Sequence, residues 1–363
     1  MSSTFRFKSL PQVLQTIAFS ALAIALAMTA QAEQANSEPL AGFIQTKIKV
    51  AYRAWSIPTS IWYPAEGQAA EHIVGQNFVF EGTPVLDQTQ IKQGKFPLFV
   101  FSHGSGSNME SMGWLASELV KSGAMVVAVN HPGSTSNDSS PRRSARFWER
   151  PQDLSAALDH VLADPVYGPH VDQSRIYTLG FSLGGMAVLQ TIGARMDRDV
   201  YADYCAGAPD APDCLFFGKG NVDFRLLDQG KFNASYEDPR LAGTIAIDPG
   251  MVAGMTPASI SSIEKPVLLI NLGTDDTLWP TINIGQSGLD LETRMVNATY
   301  VQIAPADHYS FLPECTENAP AMLMEEGEDP ICDDPEGSDR ADVHRQVIDA
   351  VRNFMDLGTD SPW

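Results

Sequence analysis

The hexapeptide "GFSLGG", Gly180–Gly185, sets Ser182 in Gly-x-Ser-x-Gly spacing. A serine hydroxyl is a weak nucleophile at neutral pH and needs a base within hydrogen-bond reach. Two histidines follow it in the chain, His308 and His344. His308 stands in "ADHYSF", a loop after a strand-like run, which makes it the candidate general base. His344 lies between Val343 and Val347 in a helical pattern, where a half-exposed structural role is expected. A carboxylate must then accept from the second imidazole nitrogen, fixing the tautomer and stabilising the imidazolium. Asp248 closes "TIAIDP", and Asp275 and Asp276 follow "VLLINLG". Capping the turn at Pro249 is the simpler role open to Asp248. Oxyanion donors are usually backbone N–H groups. The candidates are Leu183, directly after the serine, and Ser105 in the loop "HGSG".

Such residues form a site only if a strand enters the serine turn and a helix leaves it. "SRIYTLG" reads as the strand and "GMAVLQTIGARM" as the helix. Upstream, Ile44 to Tyr63 alternates with β-branched and aromatic residues, predicting two or more antiparallel strands. "KFPLFVFSHGSGS" and "MVVAVNHPG" are apolar runs stopped by turn residues, the mark of buried strands. "SMGWLASELVKSGA" between them is amphipathic at helical spacing. A polar loop with Arg142, Arg143, Arg146 and Arg150 precedes the helix "RPQDLSAALDHVLADP". "GTIAIDP", "KPVLLINLG" and "ATYVQIAP" are further strands, and "ADVHRQVIDAVRNFMDL" is a final helix. Strand–helix alternation with continuously apolar strands predicts an α/β fold, a mostly parallel sheet with helices on both faces. The candidate residues then fall at the carboxyl edge of the sheet, where ligands gather in such folds. The irregular interval at about 197–239 is expected to be a lid-like insertion over the sheet and not a second domain.

The first residues read as an address. Arg6 and Lys8 precede an apolar run that ends in "AQA" at Ala30–Ala32, so residues 1–32 are expected to be a cleaved signal peptide. That leaves a single domain over 33–363, exported to a periplasm or beyond, with no stable membrane anchor. The formal charge is −20, and −22 without Arg6 and Lys8, which argues against nucleic acid or an anionic membrane as partner. Four cysteines in an exported chain suggest disulfides. The expected pairs are Cys205–Cys214 and Cys315–Cys332, each stapling one Pro- and Asp-rich loop. No spacing suggests a metal site or a cofactor. The acidic run "EEGEDPICDDPEGSD" reads as a solvated loop.

"FPLFVFSHGSGSNMESMGWLASELVKSGAMVVAVNHPG", "SRIYTLGFSLGG", "DHYSFL" and "PTSIWYPA" together resemble the α/β-hydrolase group of platelet-activating-factor acetylhydrolases and bacterial predicted dienelactone hydrolases. The resemblance implies Ser182 as nucleophile, His308 as base, and Leu183 and Ser105 as oxyanion donors. Its branches differ over the acid. "GTIAIDPG" is similar to the acetylhydrolase pattern and implies Asp248, whereas "GTDDTLWP" resembles the loop of the bacterial branch and implies Asp276. Asp276 is favoured here because the chain as a whole is closer to the bacterial branch. Dienelactone hydrolases themselves use cysteine, so the serine tells against that substrate.

The expected function is cleavage of a small or acyl carboxylic ester, with lactones in the same class, through an acyl-enzyme. Phe216, Phe217, Phe224, Trp279 and Phe311 either line an apolar acyl pocket or belong to the core. Lipase, phospholipase, polyester-degrading and amidase activities use the same residues. A non-catalytic binding protein on the same fold is the reading from another class.

Overall fold

Apolar runs that alternate between two buried faces decide the architecture. In the computed structural model, which describes residues 39–356, ten strands form one sheet. In chain order they are β1 (Gly42–Ile48), β2 (Ile57–Tyr63), β3 (Glu71–Val74), β4 (Thr83–Asp87) and β5 (Phe96–Ser102), followed by β6 (Met125–Val129), β7 (Val171–Phe181), β8 (Gly243–Ile247), β9 (Val267–Leu272) and β10 (Ala298–Ile303). Their order across the sheet is β10-β9-β8-β7-β5-β6-β2-β1-β4-β3. The six strands from β10 to β6 run parallel. β2 pairs antiparallel with β6 and with β1, as the alternation from Ile44 to Tyr63 predicts. The sheet goes beyond the expectation at β3 and β4, whose polar sequences carry no strong strand signal.

Adjacent residues of the central strands serve opposite cores. Leu98, Val100, Met125 and Val127 pack with helices α2 (Glu149–Ala163) and α3 (Leu183–Thr191). Phe99, Phe101, Val126 and Ala128 pack with α1 (Gly113–Lys121) and α6 (Arg340–Phe354). Helices therefore cover both faces, as expected. From Leu40 on, the described residues form one compact unit. The expected leader, residues 1–32, lies outside the described residues.

The interval 197–239 is more regular than its sequence suggested. It holds α4 (Arg198–Gly207) and α5 (Pro212–Lys219). Asp197 caps the first by accepting from the N–H groups of Asp199 and Val200 (2.9 and 3.2 Å), and Pro212 starts the second. Local capping makes such short helices, and an apolar-period search misses them. A Cys205–Cys214 disulfide ties α4 to α5, and Cys315 is bonded to Cys332. The acidic run is also more than a solvated loop, because Asp334 pairs with Arg340 (3.0 Å) and accepts from Ser310 Oγ (3.1 Å).

His344 on α6 is buried, contrary to the half-exposed position expected. Its ring stacks on Trp114 with 3.7 Å between centroids, and its Nε2–H donates to the Leu312 carbonyl (3.0 Å). Burial pushes its pKa down to about 4, helped by the nearby Arg340 charge. In the unfolded chain an imidazole protonates near its ordinary value of about 6.5. Below that pH the unfolded state takes up a proton that the native state refuses. This contribution to stability is therefore full above pH 6.5 and is lost as the pH falls towards 4, a span worth roughly 3 kcal/mol. His344→Gln is expected to flatten the acid side of the stability–pH curve over that window, measured by urea unfolding. An unchanged slope would refute the assignment.

Candidate active site

The turn after β7 leaves room for nothing but glycine at 180, 184 and 185. Ser182 has φ 55° and ψ −120°, a conformation that L-residues avoid. Its N–H donates to Ile247 O (2.9 Å), and its carbonyl accepts from Gly250 N (3.0 Å) and Met186 N (3.2 Å). A Cβ on Gly184 would stand 1.9 Å from the Ser102 carbonyl oxygen, and one on Gly180 would stand 2.2 Å from that of Gly184. A Cβ on Gly185 would meet Pro249 at 2.8 Å. The glycines let the ends of β5, β7 and β8 come together with no side chain between them.

Ser182 Oγ donates to His308 Nε2 at 3.1 Å, and His308 Nδ1–H donates to Asp248 Oδ2 at 2.9 Å. His308 opens a single turn, His308–Phe311, capped by Asp307, whose carboxylate accepts from the N–H groups of Tyr309 and Ser310. The imidazole is clamped between Phe181 and Trp279, at 4.6 and 4.7 Å between ring centroids.

The carboxylate beside His308 is Asp248 and not the favoured Asp276. Asp248 is fully buried, and its Oδ1 accepts from Asn271 Nδ2 (2.8 Å) and Leu272 N (2.9 Å). That leaves Oδ2 aimed at the histidine. Asp276 sits in a turn closed by Thr274 and Thr277, where Thr274 N donates to Thr277 Oγ1 (2.8 Å) and Thr277 N to Thr274 O (3.0 Å). That turn carries Asp275 and Asp276 out to solvent, and Asp275 accepts from Gln302 Nε2 (3.3 Å). Asn271 escaped the sequence reading. Its signal was present, a polar amide inside the apolar run "VLLINLG" of β9. Such a side chain must find partners when buried, and Asn271 also bonds Ile282 O, Ile284 N and Tyr300 Oη.

Leu183 is the first residue of α3, so its N–H has no carbonyl partner within its own helix. Ser105 is exposed in the loop after β5, and the preceding Gly104 abuts Ser182. A cavity of about 1140 Å³ opens over these residues. Ser105, Ser182, Leu183, Trp279 and His308 line it, as do Phe216, Phe217 and Phe224 of the 197–239 segment. Phe311 does not reach it, being packed on Phe181 in the core. Among the described residues no group of three or more His, Cys, Asp or Glu could hold a metal ion. No helix among them is long and apolar enough to cross a membrane.

Residues 99–321, from within β5 to beyond the His308 turn, match the sequence model of the alpha/beta hydrolase family, and the chain belongs to that family. Among solved structures it is similar to a ferulic acid esterase from Streptomyces cinnamoneus. That match has a TM-score of 0.58 at 17% identity and covers 90% of this chain and 93% of that one. No curated protein matches the sequence.

Two outcomes follow from this geometry. Gly184→Ala drives a methyl group into the Ser102 carbonyl and is expected to destabilise the protein by on the order of 3 kcal/mol. The melting temperature should fall by roughly 4–5 °C. A variant melting with the parent would contradict the packing described. Asp248→Asn should lower turnover of an activated ester by roughly 10³–10⁴-fold, while Asp276→Asn stays near the parent. The reverse ranking would return the acid to Asp276.

Proposed function

We propose that this protein is a serine hydrolase that cleaves carboxylic esters through an acyl-enzyme, with Ser182 as nucleophile, His308 as base and Asp248 as acid. The observation that carries the proposal is the continuous Ser182–His308–Asp248 hydrogen-bond chain opening into an apolar cavity. His308 Nε2 takes the Ser182 proton as Oγ attacks the ester carbonyl, and Asp248 stabilises the resulting imidazolium. The N–H groups of Leu183 and Ser105 receive the developing oxyanion. His308 then gives its proton to the leaving alkoxide. Water, deprotonated by the same imidazole, next attacks the acyl carbonyl, and His308 returns that proton to Ser182 Oγ as the acid leaves.

The cavity favours an ester with a substantial apolar part. Phe216, Phe217, Phe224 and Trp279 offer hydrophobic area and ring faces, suited to an acyl chain or an aromatic acid. The Streptomyces esterase takes its name from ferulic acid, an aromatic acid, and that likeness of fold suggests which esters to try first. Export to a periplasm or medium fits the disulfides and the leader-like N-terminal sequence. An alkyl fluorophosphonate should add one phosphonyl group to the intact protein and none to Ser182→Ala, as read by mass spectrometry. Nitrophenyl butyrate should be hydrolysed by the parent and not by that variant. A parent that neither labels nor hydrolyses would instead favour a binding protein on this fold.

A further inference from the structure

A second Ser–His–Asp chain lies beneath the first and is sealed from solvent. Ser102 Oγ bonds His131 Nε2 at 2.9 Å, and His131 Nδ1–H donates to Asp153 Oδ2 at 2.8 Å. All three residues are fully buried, so no substrate reaches this serine. The chain ends on Arg150, whose Nη1 donates to Ser102 Oγ at 3.3 Å. The sequence placed Arg150 in a polar loop, yet it is 2% exposed. Its other bonds go to His103 O (2.7 Å), Gly104 O (3.4 Å) and Ser134 Oγ (2.9 Å).

Among the described residues Arg150 makes no ion pair, and its Nε has no hydrogen-bond partner. Burying a guanidinium against neutral acceptors is costly, and an apolar side chain of similar size would often serve stability as well or better. The residues it grips suggest what it does. In a trans peptide the carbonyl and the following N–H point in opposite directions. With the Gly104 carbonyl turned onto Arg150 and His103, the Ser105 N–H points away from both. His103 braces the same carbonyl through Nδ1 (2.7 Å), while its Nε2 accepts from His131 N (3.2 Å). Burial holds His131 neutral, so its one ring proton faces Asp153 and its Nε2 accepts from Ser102. Arg53 and Tyr52 hold Asp153 from the far side, and Arg53 also pairs with Glu149.

We propose that Arg150 is a positioning residue for the reaction, fixing the oxyanion loop Gly104–Ser105 from below and polarising its peptide groups, with the Ser102–His131–Asp153 chain setting the orientation of Arg150. This rests on the ester-hydrolase reading above. The test uses the full chain and the variants Arg150→Met, Arg150→Lys and Ser102→Ala. The measurements are kcat and KM for nitrophenyl butyrate, affinity for an alkyl trifluoromethyl ketone whose serine hemiketal carries the oxyanion, fluorophosphonate labelling, and the melting temperature. Arg150→Met is expected to lower kcat on the order of 10²-fold, the range for losing one oxyanion donor, with KM within threefold. Ketone affinity should fall by a similar factor, and Arg150→Lys should lie between Arg150→Met and the parent. A folded Arg150→Met with kcat and ketone affinity within threefold of the parent would overturn the proposal. So would losses that follow only a drop in melting temperature. If neither Arg150 variant folds, Ser102→Ala decides: a several-fold loss of kcat at constant KM supports the role, and an unchanged kcat refutes it. A parent inert to both ester and phosphonate overturns the hydrolase reading itself, a result separable from any behaviour of the variants.

Discussion

The close approach of three strand ends at the Ser182 turn governs the rest of the molecule. Gly184 lies against the Ser102 carbonyl at the end of β5, and Gly185 lies against Pro249 just beyond β8. The loop after β5 carries Gly104 and Ser105, and the residue directly after β8 is Asp248. One contact set thereby fixes the spacing of the serine, the neighbouring loop and the carboxylate. Any Cβ there would push two of these apart, and hydrogen bonds of about 3 Å tolerate little displacement. The positive φ of Ser182 is held by three backbone hydrogen bonds to flanking segments, so the strain resides in a turn whose surroundings over-determine it.

Much of this was legible in the sequence because buried parallel strands leave continuous apolar runs. β5, β6, β8 and β9 stand out as runs stopped by Gly, Pro or Asp, and the helices between them show a clear apolar stripe. Ser182 and His308 could be singled out because each follows such a run at the carboxyl edge. The acid could not. Asp248 and Asp276 follow neighbouring strands, and only side-chain contacts distinguish them. Asn271 and the Leu272 N–H hold Asp248 inward, while Thr274 and Thr277 close the turn that carries Asp276 outward. Similarity to one branch of a family pointed to the strand end whose aspartate does not reach His308, and a buried asparagine would have been the better guide to the one that does.

The helices of 197–239 and the N-terminal edge of the sheet were hidden for other reasons. α4 and α5 owe their existence to a capping aspartate, a first-turn proline and a disulfide, none of which leaves a long period in the sequence. β3 is the edge strand and β4 its short neighbour, both with exposed positions, so their composition resembles that of loops. Arg150 shows a further limit. Four arginines within nine residues read as a polar loop, yet one of them occupies the interior while Arg142 and Arg146 face water.

The two Ser–His–Asp chains separate chemistry from residue type. Their hydrogen-bond lengths differ by no more than 0.2 Å at each link, so local geometry does not distinguish them. Backbone and access do. Ser102 ends a regular strand, and its hydroxyl stays within the sheet's packing, whereas the turn at Ser182 lifts its hydroxyl to the cavity. Burial keeps His131 neutral, and it has no route to exchange a proton with solvent or substrate, so its two hydrogen bonds are fixed in one sense. A chain sealed from solvent is suited to holding a neighbour still. A chain that opens onto a cavity can pass a proton to a reacting group. The same three side chains thus serve as a brace in one place and as a candidate catalytic relay in the other, and access decides which.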